Sequence, residues 1–278
     1  MSIDLFDKRA ILFLPASNPR AIAKARESDA DLVVLDLEDA VKPEDKETAR
    51  QAAVAAVAEK WPMTIAIRIN GVGNQWHGPD LVAIAHAPVD LVVMPRVEDK
   101  EELTFVRKQS GKAVAAMIET AKGVLAAPQV ARDAAALIAG TNDLAADLRL
   151  PRGAGRPPLR TALQTIVLAA RSQGIAAFDG VYNQLDDLDG FAAEAAEGRM
   201  MGFDGKSLIH PSQIAPCHAA FAPTGEELAR AERLVAASTG GAERFEGEMI
   251  ERMHVEQARW TLAKARREAT PDASGRAT

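Results

Sequence analysis

The sequence predicts an eightfold β/α barrel, a (β/α)8 TIM barrel, with a C-terminal helical extension. Short apolar runs alternate with Ala-rich or amphipathic stretches of helical length eight times along the chain. The runs are apolar throughout, the pattern of parallel strands buried on both faces. Charged residues follow several of them directly: Asp36-Leu37-Glu38-Asp39, Arg68, Glu119 and, through Thr141-Asn142, Asp143. Ionised groups are costly to bury unless paired or bound to metal. Charges ending successive strands therefore point to one shared polar site at the strand C-termini, where a β/α barrel keeps its chemistry. An open doubly wound sheet is the competing fold.

The first strand is expected at Ala10–Leu14, closed by Pro15-Ala16-Ser17-Asn18-Pro19 and followed by a helix over Arg20–Ser28. Strand two is Leu32–Leu35, and Pro43 opens a charged, Ala-rich helix running to Glu59. Strand three, Thr64–Ile69, leads through the turn-rich Asn70-Gly71-Val72-Gly73-Asn74 to a helix over Pro79–Ala85. Strands four, five and six are Leu91–Met94, Ala113–Ile118 and Leu137–Ala139, separated by helices over Lys100–Gln109 and Lys122–Arg132. A Pro/Gly/Arg loop, Leu150–Pro158, interrupts the rhythm. Helix Leu159–Gln173, strand seven at Ala176–Phe178, helix Asp187–Glu197 and a short strand eight near Asp204–Leu208 complete the eight units. These place the barrel at residues 1–215. Residues 216–268 read as helices, over Glu226–Ala237 and Glu248–Arg267, that pack on the barrel or a neighbouring subunit, and 269–278 as a frayed tail.

Composition narrows the function classes. A chain of 278 residues suits one barrel of about 250 residues. The net charge of −6, without a basic stripe, and an aromatic content of 4% argue against a nucleic-acid partner. The single Cys217 excludes an intrachain disulfide and any multi-cysteine metal site, and fits a reducing compartment. The polar N-terminus and the lack of an apolar stretch near 20 residues lead to the expectation of a soluble, cytoplasmic protein.

Glu119 and Asp143 are the first candidate pair, because Mg²⁺ is commonly held by one or two carboxylates completed by water and substrate oxygens. Each alone also suits a solvated strand end; their position after consecutive strands favours a site. Asp36, Glu38 and Asp39 place three like charges in four residues, which need a cation or an arginine nearby unless the loop is solvated. Arg68 ends an otherwise Ile-Ala-Ile strand; its fork suits a carboxylate, either Asp36 or Glu38 as a bridge or a substrate acid. Gly205-Lys206-Ser207 lacks the first glycine of a phosphate loop, since Met200 stands there. Gly71-Val72-Gly73 lacks the third glycine of a dinucleotide fingerprint. The five histidines show no zinc spacing and no serine sits in a nucleophile elbow.

Ordered blocks over about residues 9–216 resemble the citrate lyase beta-subunit-like family of the HpcH/HpaI aldolase and citrate lyase superfamily. They include Arg9-Ala10-Ile11-Leu12-Phe13-Leu14-Pro15, Lys24-Ala25, Asp36-Leu37-Glu38-Asp39-Ala40-Val41 with Lys46 and Ala49-Arg50, and Arg68-Ile69-Asn70. Ile118-Glu119-Thr120-Ala121-Lys122-Gly123, Gly140-Thr141-Asn142-Asp143-Leu144, Asp179-Gly180 and Gly202 to Pro211 continue the match.

The resemblance implies a Mg²⁺-dependent carbon–carbon lyase that cleaves a 3-hydroxyacyl thioester of citryl, citramalyl or malyl type to acetyl-CoA and an oxo acid. It implies Glu119 and Asp143 as metal ligands, Arg68 and Glu119 as contacts of the oxo-acid half, and an acid among Asp36, Glu38 and Asp39 acting on the hydroxyl. Lys24 and Pro15 would help to hold coenzyme A. A homo-oligomer, trimer or hexamer, is implied too.

Two alternatives stay open: a metal-dependent aldolase on free oxo acids, and a citrate lyase beta subunit that works only in a complex with an acyl carrier protein. The aldolase branch resembles this layout but carries a histidine base where this chain reads Glu38-Asp39, which lowers that reading. Longer malyl-CoA lyase and malate synthase relatives add a C-terminal piece with a catalytic aspartate. No aspartate lies between Asp204 and Asp272 here, which weighs against a full malyl-CoA lyase or thioesterase mechanism.

Overall fold

The structure is a computed structural model that describes residues 3–269. It divides into two compact units, Met1–Phe221 and Ala222–Thr278. In the first, eight parallel strands close into a barrel in sequence order. They are β1 (Ala10–Pro15), β2 (Leu32–Asp36), β3 (Thr64–Arg68), β4 (Leu91–Met94), β5 (Ala113–Ile118), β6 (Ala136–Ala139), β7 (Ala176–Asp179) and β8 (Gly205–Leu208). Between them run α1 (Pro19–Arg26), α2 (Lys46–Val57), α3 (His77–His86), α4 (Lys100–Ser110), α5 (Ala121–Val130), α6 (Thr141–Asp147), α7 (Arg160–Ser172) and α8 (Leu188–Met201). After β8, α9 (Ile214–Phe221) joins the outer ring. No helix among the described residues is long and apolar enough to cross a membrane.

Residue parity along the strands sorts side chains into two cores. Ile11, Leu32, Val34, Ala66, Val93, Ala115, Met117, Ile138 and Phe178 fill the barrel interior, and Leu5 packs among them. Their neighbours, such as Leu12, Val33, Ile67, Val92, Val114, Leu137 and Leu208, face the helices. Successive strand side chains point to opposite faces. The interior row therefore continues, at each C-terminal end, into Asp36, Arg68 and Glu119. Closure at the β8/β1 seam needs Gly205, because a Cβ there would run into the Arg9 backbone.

Local chemistry sets the helix starts. Thr120, directly after Glu119, caps α5 by accepting from Gly123 N at 3.0 Å. Asp99 caps α4 through Glu101 N at 2.7 Å, and Gly111 ends that helix in the left-handed conformation at φ 66°.

Three expectations change and one element is added. The barrel unit ends after Phe221, not at residue 215, because Cys217 and Phe221 of α9 are fully buried in the same core as the strands and Cys217 Sγ–H donates to Arg9 O at 3.3 Å. Residues 141–147, to which the sequence pattern assigns no element, form α6. No helix begins at Glu248. Glu243–Phe245 (β9) and Glu248–Ile250 (β10) pair as an antiparallel hairpin, with Glu246 at φ 48° and Gly247 at φ 90° between them. Two consecutive positive φ values are what a tight two-residue hairpin turn demands, and this breaks the helical period. Finally, helix reaches Ala269 in α11 (Arg252–Ala269), so the tail begins no earlier than residue 270; residues 270–278 lie outside the described ones.

The second unit holds α10 (Gly225–Ala237), the hairpin and α11 around a small core of Ala231, Leu234, Ile250, Val255 and Ala258. A capping box between Thr224 and Glu227 starts α10.

Candidate active site

Strand register brings Asp36 opposite Arg68. Arg68 Nε donates to Asp36 Oδ1 at 2.7 Å and Nη2 to Oδ2 at 2.6 Å, the two parallel bonds of a guanidinium–carboxylate fork. Asp36 is 1% exposed, and its oxygens also accept from the backbone N–H groups of Glu38 (2.8 Å) and Ala40 (3.1 Å). It is thus the keystone that shapes the acidic loop and aims Arg68. Glu38 Oε2 lies 3.0 Å from Arg68 Nη1, an ion pair without hydrogen-bond alignment, since that oxygen has no hydrogen-bond partner. Phe13 stacks under the guanidinium at 5.5 Å, and Met117 Sδ accepts from Nη1 at 3.7 Å.

A buried network holds the loop from behind. Lys46 Nζ donates to Leu37 O (2.7 Å), Glu38 O (2.6 Å) and Asn70 Oδ1 (2.8 Å). Asn70 Nδ2 in turn donates to Leu37 O and to Asp80, which also accepts from Arg50 Nε at 2.7 Å. Three N–H bonds of one ammonium group, all to fixed acceptors, leave the carbonyls of Leu37 and Glu38 little freedom.

Across the barrel mouth stand Glu119 and Asp143. Glu119 Oε1 accepts from Arg96 N at 2.6 Å, and Arg96 Nη1 lies 3.4 Å from Asp143 Oδ1. Gly140 precedes α6 where a Cβ would occupy the space of the Glu119 carboxylate, so only glycine lets the Glu119 side chain lie against the start of the helix that carries Asp143.

Burial pushes the Glu119 carboxyl up to about 7, with the Arg96 amide and Arg68 opposing and Asp143 adding to the rise. Burial does the same to Glu38, also to about 7; Arg68 opposes, while Asp39, Glu119 and Asp36 add to it. Burial disfavours the charge of Arg68, yet Asp36, its hydrogen bonds, Glu38 and Glu119 together hold the guanidinium above its usual value. Carboxyls that burial, with neighbouring acids adding, pushes up mark a place where a further cation would be welcome.

Arg68, Asp39, Glu119 and Asp143 line one cavity of about 330 Å³, with Phe13, Met117, Gly140, Asn183 and Ser207 in its wall. Asp36 and Glu38 do not line it; they stand behind Arg68. Pro15 and Lys24 line a second cavity of about 330 Å³, with Asn18, Arg20, His210 and Pro211. Phe13 and Ile209 belong to both walls. Among the described residues no group of three or more His, Cys, Asp or Glu side chains is arranged to hold a metal. Two carboxylates nonetheless suit Mg²⁺, which keeps several waters and is bound through one or two acids plus substrate oxygens. The fit rests on the two carboxylates lining one cavity and on the glycine cradle of Glu119.

Phe13, Met117, Ser207 and Arg96 are not among the expected site residues. The first three share the inward parity of their strands, so counting by twos from Ile11, Ala115 and Gly205 finds them. Arg96 gives no such signal, because it sits in a turn at φ 48°.

Comparison with known proteins follows the geometry. The (3S)-malyl-CoA thioesterase of Cereibacter sphaeroides is 37% identical, over 92% of this chain and 94% of that protein. Citrate lyase subunit beta of Escherichia coli is 31% identical over 93% of each. Among solved structures, the protein CitE of Mycobacterium tuberculosis in complex with magnesium, acetoacetate and coenzyme A superposes with a TM-score of 0.82 at 34% identity, over 93% of this chain and 98% of that one. The citrate lyase beta subunit of the same organism, complexed with oxaloacetate and magnesium, gives 0.72 at 33% identity, over 80% and 100%. The model of the HpcH/HpaI aldolase/citrate lyase family matches residues 9–211, within which lie Arg68, Glu119 and Asp143, and the chain is an enzyme of that family.

Proposed function

We propose that the chain is a Mg²⁺-dependent carbon–carbon lyase that splits a 3-hydroxyacyl-CoA into acetyl-CoA and an oxo acid. The observation that carries this reading is the meeting of Arg68, Glu119 and Asp143 in one cavity that shares Phe13 and Ile209 with a second. The first cavity suits the small, charged oxo-acid half. The second, walled by Pro15, Lys24, Arg20 and His210, suits the coenzyme arm.

Glu119 and Asp143 would hold the Mg²⁺, which supplies Lewis-acid polarisation of the oxo-acid oxygens. Arg68 is locked by Asp36 through Nε and Nη2; Nη1, whose present hydrogen-bond acceptor is the weak Met117 Sδ at 3.7 Å, would donate to the oxygen that becomes the new carbonyl. A donor fixed before the reaction stabilises developing charge without reorganising. Asp39 is the acid of its loop that reaches the cavity wall, and it takes the hydroxyl proton directly or through water. The bond between the hydroxyl-bearing carbon and the thioester α-carbon then breaks. Its electron pair passes to the thioester as an enolate, which is reprotonated to acetyl-CoA.

A second reading is favoured by the relatives named (3S)-malyl-CoA thioesterase. There water attacks the thioester carbonyl, giving the free hydroxy acid and coenzyme A, while the same residues orient the acyl half. One experiment addresses both. The purified chain is incubated with malyl-, citramalyl- and citryl-CoA, with Mg²⁺ and with chelator, and the products are separated. Mg²⁺-dependent acetyl-CoA plus oxo acid supports the lyase; free coenzyme A plus hydroxy acid supports the thioesterase. No turnover of any ester by folded, Mg²⁺-bound protein would reject both.

A further inference from the structure

Arg96 touches both carboxylates of the site in different ways. It is one of three non-glycine residues among those described with a positive φ, at 48°. Such backbone is sparsely populated for L residues and gathers at functional sites. Here it turns the Arg96 N–H onto Glu119 Oε1, at 2.6 Å. The guanidinium of the same residue reaches the other acid, with Nη1 3.4 Å from Asp143 Oδ1. The two acids come from different β/α units and repel each other unless positive charge stands near. Arg68 cannot serve both needs, because its fork is taken by Asp36. The Arg96 side chain is 50% exposed and that of Asp143 38%, so the pair can open without dismantling the core.

We propose that Arg96 is the positioning residue of the divalent-cation site: its left-handed backbone fixes Glu119, and its guanidinium stands in for the cation at Asp143 until the cation displaces it. The inference rests on the reading of Glu119 and Asp143 as Mg²⁺ ligands. It adds that the two acids carry their own removable counter-charge, so that cation binding frees an arginine at the barrel mouth.

The test is Mg²⁺ binding to the full chain by titration calorimetry, without substrate. Removing the competing charge in Arg96→Gln tightens Mg²⁺ binding about two- to fivefold, the scale of a half-exposed ion pair. Arg96→Gly keeps the N–H and suits the positive φ, and it tightens binding to the same degree; Arg96→Lys falls between. Lys122→Gln removes a nearby cation that pairs with Glu98 at 3.3 Å. Equal tightening there would assign the effect to net charge and overturn the pairing. Unchanged or weaker binding in both Arg96→Gln and Arg96→Gly overturns the proposal.

A second readout follows the side chain itself. Phenylglyoxal modifies Arg96 faster with Mg²⁺ than without, read by peptide mass; an equal or slower rate overturns displacement. If the wild-type chain binds no Mg²⁺, the metal reading falls and this inference with it. If wild type binds and the variants do not tighten, this inference alone falls.

Discussion

Asp36→Asn removes one charge from the Asp36–Arg68 pair while changing almost no volume. The pair is buried on both sides, with the Asp36 side chain 2% and that of Arg68 12% exposed. Asn keeps one carbonyl oxygen, but its NH₂ replaces an oxygen that accepts from both the guanidinium and a backbone N–H, that of Glu38 or of Ala40, so two of the present bonds become donor–donor contacts. Breaking a buried pair from one side costs about 3–5 kcal/mol. Arg68 retains the Phe13 stack and Glu38, which places the loss near the lower end, about 3 kcal/mol. At about 2–4 °C per kcal/mol for a domain of this size, melting falls by about 6–12 °C. Arg68 also loses its fixed direction, and turnover falls by about two to three orders of magnitude, as when a preorganised donor is lost.

The assay is thermal melting by circular dichroism beside acetyl-CoA release. Asp36→Leu combined with Arg68→Met removes both charges; it recovers part of the stability, since the Glu38 and Ala40 N–H groups stay unpaired, and none of the activity. A melting point of Asp36→Asn within about 1 °C of wild type would refute the keystone role of Asp36.

Gly140→Ala forces a methyl into the space of the Glu119 carboxylate and moves that ligand; Mg²⁺ affinity measured by calorimetry falls about tenfold or more, the lower bound for a disturbed ligand shell. Glu38, pushed up to about 7 from an ordinary value of 4.5, binds its proton more tightly folded than unfolded. Its stability contribution is therefore full below about pH 4.5 and lost as the pH rises to about 7. Glu38→Gln flattens that slope, read from urea midpoints at about pH 5 and pH 8 without Mg²⁺. The flattening is partial because Glu119 shifts in the same direction. Cys217 is fully buried and burial pushes its thiol up to about 12, so Ellman's reagent leaves the native chain unlabelled at neutral pH and labels it in urea.

The strands were legible because burial on both faces leaves a strong mark: uninterrupted Val, Ile, Leu and Ala bounded by turns. Leu32–Leu35 and Leu91–Met94 fall within or equal to their observed spans. The hairpin at Glu243–Ile250 was not legible, because strands of three residues are too short to establish a period of two and its turn needs positive φ at a glutamate. Helix α6 hid for another reason: at seven residues it has too few turns to show a period.

For the site, the sequence by itself determined which charges end strands, because an apolar run must stop where an ionised group begins. That singled out Asp36, Arg68, Glu119 and Asp143. Their division of labour was decided only by tertiary structure. Closure of eight strands and their register set Asp36 against Arg68 and so turned one of four charges into a support for another. The left-handed turn at Arg96 and the missing Cβ of Gly140 joined Glu119 to Asp143 across 23 intervening residues. Sequence records the type and order of groups. Distance between groups far apart in the chain, and with it the raised carboxyls of Glu38 and Glu119, exists only once the barrel has closed.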